Sequence, residues 1–294
     1  MFGGSIVAIV TPMHADGVLD LPALGRLVEW HVEAGTAAVV VAGTTGESPC
    51  IAPDELDAML RVALEAAAGR IGVIAGTGSN ATAHAIELTR IAAAAGAGAA
   101  LVVTPYYNKP TQEGLYRHYE AVAREGGLPV ILYNVPGRTA VDLLPETTAR
   151  LAEVTGVVAI KEAVPGPERA RRLRALCGDR LDLLSGDDAT AMDFLLAGGD
   201  GVISVTANVA PRLMHGMAEA ACHDEPRKAA ALNERLAGLH RALFVEPNPI
   251  PVKWALTRMG LIEAGIRLPL TPLDPAHYDE VRAAMLRAGV EIKP

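Results

Sequence analysis

The sequence VVAIKE at residues 157–162 is an apolar, largely β-branched run that ends in two ionisable residues. Apolar runs without polar alternation are typical of strands that are covered on both faces of a parallel sheet. Seven similar runs lie elsewhere in the chain, at residues 5–10, 37–41, 71–75, 100–103, 129–132, 181–184 and 201–205. The sequence therefore predicts eight parallel strands.

Segments with helical periodicity separate these runs, among them residues 21–33, 53–67, 81–94, 112–124 and 145–152. Because parallel strands need crossover connections, each segment supplies one crossover helix. A strand and helix repeated eight times favours an α/β fold of the closed (β/α)8 TIM barrel type over an open, doubly wound sheet.

Further helical segments follow the eighth run, at residues 211–221, 225–243, 251–259 and 276–288. No low-complexity linker separates them from the barrel, so a freely hinged second domain is not expected. We expect a catalytic barrel over residues 1–224 and a C-terminal helical extension over 225–294 that packs on it.

Composition and charge exclude several classes of protein. Half of the 294 residues are hydrophobic and only 4% are aromatic, and the net charge is -8. With no basic stripe to gather phosphates, a nucleic-acid partner is not expected. No apolar stretch is long enough to cross a bilayer, and the first residues do not resemble a secretory signal, so we expect a cytoplasmic protein and no membrane partner. The three cysteines (Cys50, Cys177, Cys222) are odd in number and far apart in sequence, so they predict neither disulfides nor a metal cluster.

In a (β/α)8 barrel the active site lies at the carboxyl ends of the strands. The residues there are GTTGE at 43–47, TPYYN at 104–108, YNVPGRT at 133–139, KE at 161–162 and SGDD at 185–188. These segments carry the candidate chemistry.

Lys161 is the sharpest signal, because it directly follows an apolar strand in a chain with few lysines. Burial among apolar side chains disfavours the ammonium form, and a neutral amine attacks carbonyl carbons. The alternative is a structural lysine paired with Glu162 or another carboxylate. Tyr133 ends the adjacent strand and can transfer protons during imine formation, with Thr45 and Tyr107 completing a relay. The alternatives are a tyrosine capping the core at 133 and a surface or subunit contact at 107.

Two further segments suit carboxylate binding. The turn at residues 43–46, which contains Thr44 and Thr45, lets backbone N–H groups approach an anion, although such a turn alone is a weak signal. Arg138 follows a Pro-Gly turn, where its planar guanidinium suits a second carboxylate, while the alternative is a surface arginine.

Two other motifs are rejected. The segment GTGSNA at 76–81 resembles a dinucleotide fingerprint, but the next strand ends in Thr104 where an acidic ribose partner is expected. The eight histidines lack close ligand spacing, so no catalytic metal is expected.

The ordered motifs GTTGES, TPYYN, YNVPGRT, IKE, SGDD, GVISVTAN and EPNPIPVKWA resemble the dihydrodipicolinate synthase family over essentially the whole chain. The family is a group of pyruvate-dependent class I aldolases with a (β/α)8 barrel and a C-terminal helical region. The resemblance implies condensation of pyruvate with L-aspartate 4-semialdehyde to 4-hydroxy-tetrahydrodipicolinate, on the diaminopimelate route to lysine. It also implies a homotetramer built from tight dimers.

Residue by residue, the resemblance makes Lys161 the Schiff-base lysine, so that no cofactor is needed beyond the covalent imine with pyruvate. Thr45, Tyr107 and Tyr133 become the proton relay, with Tyr107 crossing into the partner subunit's site. The resemblance also implies that Thr44 and Thr45 bind the pyruvate carboxylate and that Gly186 and the Ile203 carbonyl line the pocket. It implies that Arg138 binds the carboxylate of the semialdehyde.

Two other functions stay open. A sibling aldolase or lyase acting on a sugar acid, such as N-acetylneuraminate or a 2-keto-3-deoxy-sugar acid, keeps Lys161 and Tyr133, but Arg138 favours a carboxylate-bearing substrate. A catalytically silent keto-acid binding protein would not need the complete relay.

Many members of this family bind lysine at the tight-dimer interface, and this sequence resembles their effector pattern at Asn80 and Tyr106. It departs from that pattern at three positions. His84 stands where the pattern has an acidic residue, and Pro53 and Leu56 stand where it has histidines. We expect Leu56 to form an apolar wall of that site, and we expect inhibition by lysine to be weak or absent.

Overall fold

Eight parallel strands form a closed barrel in the computed structural model, which describes residues 2–293. Each strand pairs with the next one along the chain, and the last pairs with the first. The strands are β1 (Gly4–Ala8), β2 (Ala38–Val41), β3 (Gly72–Gly76), β4 (Ala99–Val103), β5 (Val130–Asn134), β6 (Val157–Glu162), β7 (Asp182–Ser185) and β8 (Gly201–Ser204). The predicted barrel is confirmed, and each predicted strand end lies within two residues of the observed one.

The strands alternate with helices that surround the barrel. Up to the last strand these are α1 (Leu21–Glu33), α2 (Pro53–Ala67), α3 (Thr82–Ala95), α4 (Gln112–Glu125), α5 (Pro136–Thr139), α6 (Pro145–Leu151), α7 (Pro167–Cys177) and α8 (Ala191–Leu196). The sequence predicts α1 and α2 to the residue. It does not single out α5, α7 or α8, because α5 and α8 are very short and α7 carries an arginine-rich sequence.

The remaining helices are α9 (Pro211–Cys222), α10 (Pro226–Ala242), α11 (Ile250–Met259) and α12 (Tyr278–Ala288). Apolar residues of α9, α10, α11 and α12 belong to the same core cluster as residues of β1 and β2, so the C-terminal helices pack on the barrel. The division at residue 224 stays a prediction, and Met1 and Pro294 lie outside the described residues.

Strand alternation decides which side chains enter the barrel, since successive side chains point to opposite faces. On β6, Ala159 packs in the cluster that fills the barrel, whereas Ile160 packs in a cluster with the surrounding helices. Lys161 therefore shares the inward face with Ala159. On β5, Ile131 and Tyr133 belong to the same interior cluster.

Two glycines of the GTGSNA segment let neighbouring strand ends approach each other. A Cβ on Gly76 would lie 2.0 Å from the Ala42 carbonyl oxygen, and one on Gly78 would lie 2.3 Å from the Val103 nitrogen. Both distances are far inside van der Waals contact, so larger residues would force the backbone apart. Packing of the barrel accounts for these glycines without a dinucleotide.

Within residues 2–293, no helix is both long enough and apolar enough to span a membrane. All three cysteines are free thiols, as the sequence predicts.

Candidate active site

Lys161 lies at the carboxyl end of β6 with its side chain inside the barrel, and only 5% of the residue is exposed. Its register partner on β5 is Tyr133, which is also buried. The Lys161 nitrogen lies 4.2 Å from the centroid of the Tyr133 ring. The nitrogen therefore lies against the face of the tyrosine ring. The structure thus brings together the two residues that carried the strongest sequence signal.

Gly186 packs directly against the stem of Lys161. A Cβ at position 186 would lie 3.0 Å from the lysine Cε and 3.1 Å from its Cγ, so a side chain there would displace the amine. Ile203 is buried on β8 in the interior cluster that also contains Tyr133. Both predicted lining residues therefore belong to the barrel interior around the lysine.

Glu162 points away from Lys161, to the outer side of the sheet, and does not pair with it. Its carboxylate accepts hydrogen bonds from the Asn134 amide at 3.0 and 3.1 Å and from the Val164 backbone nitrogen at 2.8 Å. The Arg169 guanidinium lies 3.2 Å away and also pairs with Asp142. The structural-lysine alternative, in its Glu162 form, is not observed.

Burial raises the pKa of Glu162 to about 7. The hydrogen bond from Val164, the charge of Arg169 and the hydrogen bond from Asn134 oppose that rise, while the charge of Asp142 adds to it. The carboxyl group therefore titrates near neutral pH on the outer side of β6.

Thr44 and Thr45 lie in a single 3-10 turn, Thr44–Gly46, which follows β2 after Ala42 and Gly43. The Thr45 side chain is buried, and its hydroxyl oxygen accepts a hydrogen bond of 3.0 Å from the side-chain nitrogen of Asn248. Thr44 and Tyr133 line a small hollow of about 20 Å³ at the mouth of the barrel. The turn therefore faces the same space as the tyrosine.

Arg138 lies on α5 and borders a larger cavity of about 330 Å³, which also includes Thr44 and Thr139 in its wall. A cavity of this volume suits a small metabolite. The guanidinium donates a hydrogen bond of 3.4 Å to the Asn248 carbonyl oxygen and is otherwise largely exposed. A cation is thus available on the wall of a cavity that shares Thr44 with the small hollow.

Tyr107 is not brought to the barrel mouth of its own chain. It is 88% exposed and adopts a left-handed backbone conformation, with φ of 74°. Non-glycine residues rarely adopt this conformation. An aromatic side chain that its own chain leaves so exposed is typical of a surface that contacts another molecule.

Only some residues of the expected effector pattern lie at the surface of the larger cavity. Tyr106 and His84 line the larger cavity, and the His84 ring contacts the Glu87 carboxylate at 3.2 Å. Pro53 is exposed at the start of α2. The expected apolar wall at Leu56 is wrong, because Leu56 is 2% exposed and packs in the core beneath α2.

One group of three possible metal ligands occurs within residues 2–293, formed by His14, Asp20 and Glu263. Its ligand atoms lie within 4.8 Å of one another, but Asp20 already caps α1 by accepting from the Ala23 nitrogen, and His14 pairs with Glu263. None of the three lines either cavity at the barrel mouth.

Sequence reasoning did not identify Asn248, Lys253 or Glu47 as residues of the site. Asn248 contacts both Thr45 and Arg138, and Lys253 forms a buried ion pair with Glu47 at the end of the threonine turn. The only sequence signal was their membership of the motifs EPNPIPVKWA and GTTGES, which do not reveal that they meet.

Comparison with known proteins agrees with this geometry. The model of the dihydrodipicolinate synthetase family matches residues 1–288. A 4-hydroxy-tetrahydrodipicolinate synthase of Methylococcus capsulatus is 60% identical over 290 residues, which cover 99% of this chain and 100% of that protein. The crystal structure of the chloride-inhibited dihydrodipicolinate synthase from Acinetobacter baumannii complexed with pyruvate superposes with a TM-score of 0.98 at 51% identity, covering 99% of this chain and 100% of that one. The chain therefore belongs to the dihydrodipicolinate synthetase family.

Proposed function

We propose that this chain is a 4-hydroxy-tetrahydrodipicolinate synthase, a class I aldolase-type lyase that condenses pyruvate with L-aspartate 4-semialdehyde in lysine biosynthesis through diaminopimelate. The observation that carries the proposal is the buried Lys161 amine, inside the barrel and against the Tyr133 ring at 4.2 Å. An amine in this place can attack the keto carbon of a small acid that enters the barrel mouth.

In the proposed reaction the Lys161 nitrogen adds to C2 of pyruvate, and the resulting carbinolamine loses water to form an imine. Loss of a proton from C3 gives an enamine, whose carbon attacks the aldehyde of the second substrate. The amino group of that substrate then attacks C2, which releases Lys161 and closes the ring. Because the covalent imine supplies the electron sink, the proposed reaction needs no cofactor and no metal.

The proton transfers in this scheme need an acid–base group at the lysine. Tyr133 would be that group, since its ring lies against the Lys161 nitrogen, and Thr45 and Tyr107 would extend the relay. Thr44 and Thr45 would bind the pyruvate carboxylate through the turn, with Gly186 and the Ile203 carbonyl lining the pocket. Arg138 would bind the carboxylate of the semialdehyde.

The exposure of Tyr107 supports an assembly of at least two copies, and the family resemblance extends this to a homotetramer built from dimers. A relay residue must be enclosed by a site, and a tyrosine that is 88% exposed in its own chain would satisfy this by entering the site of a neighbouring copy. Sedimentation velocity should give a tetramer, and Tyr107→Phe should lower kcat while leaving pyruvate binding intact. A fully active monomer would contradict this part of the proposal.

The cytoplasmic location expected from the sequence also stays a prediction.

The alternative substrate class is a sugar acid. The relatives at 56–60% identity are named 4-hydroxy-tetrahydrodipicolinate synthase, which favours the synthase. A guanidinium on the cavity wall also fits a second carboxylate better than a polyhydroxylated chain.

A coupled assay tests the function directly. Pyruvate and L-aspartate 4-semialdehyde are supplied together with a dihydrodipicolinate reductase and NADPH, and oxidation of the nucleotide is followed. The proposal predicts turnover that requires both substrates, with little pyruvate released from N-acetylneuraminate or 2-keto-3-deoxy-sugar acids. Efficient cleavage of a sugar acid without synthase turnover would contradict it.

A further inference from the structure

The turn that carries Thr44 and Thr45 is flanked by two residues in an unfavourable backbone conformation. Ala42 has φ of 52° and Glu47 has φ of 59°, both in the left-handed region that side chains disfavour. Residues persist in this region only where the surrounding structure holds them, and such residues cluster at functional sites.

Glu47 is held by the C-terminal region. Its side chain is fully buried, and one carboxylate oxygen lies 2.5 Å from the Lys253 nitrogen of α11. The other oxygen accepts a hydrogen bond of 3.0 Å from the backbone nitrogen of Arg267. Both oxygens of the carboxylate are therefore bound by groups that lie more than 200 residues further along the chain.

Lys253 is buried as completely as Lys161, with 4% of the residue exposed. Burial lowers the pKa of the Lys253 ammonium, while the charge of Glu47 and its hydrogen bond oppose that shift. A buried lysine held only for stability could be replaced by an apolar side chain together with its partner at little cost. Its location at the base of the substrate turn suggests a different role.

Asn248 acts on the same turn from the same region. Its amide nitrogen can only donate, so its bond to the Thr45 oxygen occupies an acceptor site and leaves the threonine hydrogen free to donate elsewhere. The Asn248 side-chain oxygen is buried and has no protein partner within residues 2–293. The C-terminal region thus orients the hydroxyl and leaves an acceptor beside it.

We propose that Lys253 is a positioning residue, whose buried ion pair with Glu47 fixes the turn Thr44–Gly46 so that Thr45 presents its hydroxyl to the pyruvate carboxylate. This inference rests on the proposed function, because it assigns pyruvate to the turn. The C-terminal region is then part of the substrate site, although Lys253 itself touches no substrate.

Lys253→Met tests the proposal, since it keeps the length of the side chain and removes the charge. Misplacing the turn by a fraction of an ångström should raise the KM for pyruvate by about tenfold to a hundredfold, with a much smaller change in the KM for L-aspartate 4-semialdehyde. Lys253→Arg, which restores the cation, should recover part of the loss. These KM values are measured with the coupled assay.

A second variant guards against failure to fold, because Lys253→Met leaves the Glu47 charge buried without its cation. The double variant Glu47→Gln with Lys253→Met removes both charges and should fold, yet it should still show the raised KM for pyruvate. Urea unfolding is measured on every variant.

Arg174→Met is the matched control. It breaks the partly buried pair with Asp200 at the opposite end of the barrel, at 2.6 Å. It should lower the free energy of unfolding without changing the KM for pyruvate.

A wild-type KM for pyruvate in folded Lys253→Met, or in the double variant, would overturn the proposal. An equal rise in both KM values would also overturn it, since it would indicate a general structural role. Failure of the proposed function would be distinguishable from these outcomes, because the unmodified enzyme would then show no turnover in the coupled assay.

Discussion

The two halves of the barrel mouth are built in different ways. Lys161 is placed by its own strand and by its neighbours: β5 aligns Tyr133 beside it, and Gly186 packs against its stem. The Thr44–Gly46 turn is placed by contacts from Asn248 and Lys253, which lie 203 and 206 residues away from their partners in sequence. The position of Lys161 therefore depends on local strand geometry, whereas the orientation of the Thr44–Gly46 turn depends on contacts from the C-terminal region.

The largest effect is expected in the lysine half. Tyr133→Phe removes the hydroxyl but keeps the ring that contacts Lys161, so pyruvate should still bind. The kcat should fall by about a hundredfold to ten-thousandfold, the usual contribution of general acid–base catalysis. Steady-state kinetics with both substrates measure this, and near wild-type turnover would remove Tyr133 from the relay.

A second prediction concerns the pH dependence of stability in the lysine half. The pKa of Glu162 is about 7 in the folded protein and 4.5 as the ordinary value, so the folded state binds this proton more tightly. The contribution of protonated Glu162 to the free energy of unfolding is complete below pH 4.5 and is lost as pH rises through 7. It amounts to at most about 3 kcal/mol.

Urea unfolding between pH 4.5 and 8 measures this contribution, with Glu162→Gln as the reference that cannot titrate. The free energy of unfolding of the wild type should fall with rising pH relative to the variant. A relative rise would mean that the Arg169 pair outweighs burial.

Arg138→Ala tests the proposed carboxylate site on the wall of the larger cavity, which also includes Thr44. Removing a charge-assisted hydrogen bond should cost about 1.5–3 kcal/mol, which corresponds to roughly tenfold to a hundredfold in the KM for L-aspartate 4-semialdehyde. The KM for pyruvate should change much less, because Thr44 and Thr45 remain in place. Equal changes in the two KM values would argue against a specific carboxylate clamp.

The smallest effect is expected from lysine. His84 offers an imidazole where the family's effector pattern has a carboxylate, so a cationic effector loses a charge-assisted hydrogen bond. Half-inhibition should require more than about 1 mM lysine in the coupled assay. His84→Glu should increase the sensitivity, and half-inhibition of the unmodified enzyme well below that concentration would contradict the prediction.

The same contrast explains what the sequence could predict. The run VVAIKE at 157–162 carries its own strand signal, so the barrel, the inward side of Lys161 and its proximity to Tyr133 follow from local patterns and from the alternation of strands. The contact between Glu47 and Lys253 does not, because an ion pair between residues 206 apart leaves no periodic signal. The error at Leu56 has the same origin, since one residue on an amphipathic helix does not reveal whether it faces the core or a cavity.

Trapping of the imine tests the central claim most directly. The enzyme is incubated with pyruvate and borohydride, and the reduced adduct is located by intact mass and peptide mapping, with Lys161→Ala treated in parallel. We expect a single pyruvate-dependent adduct on Lys161 and none in the variant. Pyruvate-dependent labelling that persists at full yield in Lys161→Ala would contradict the assignment.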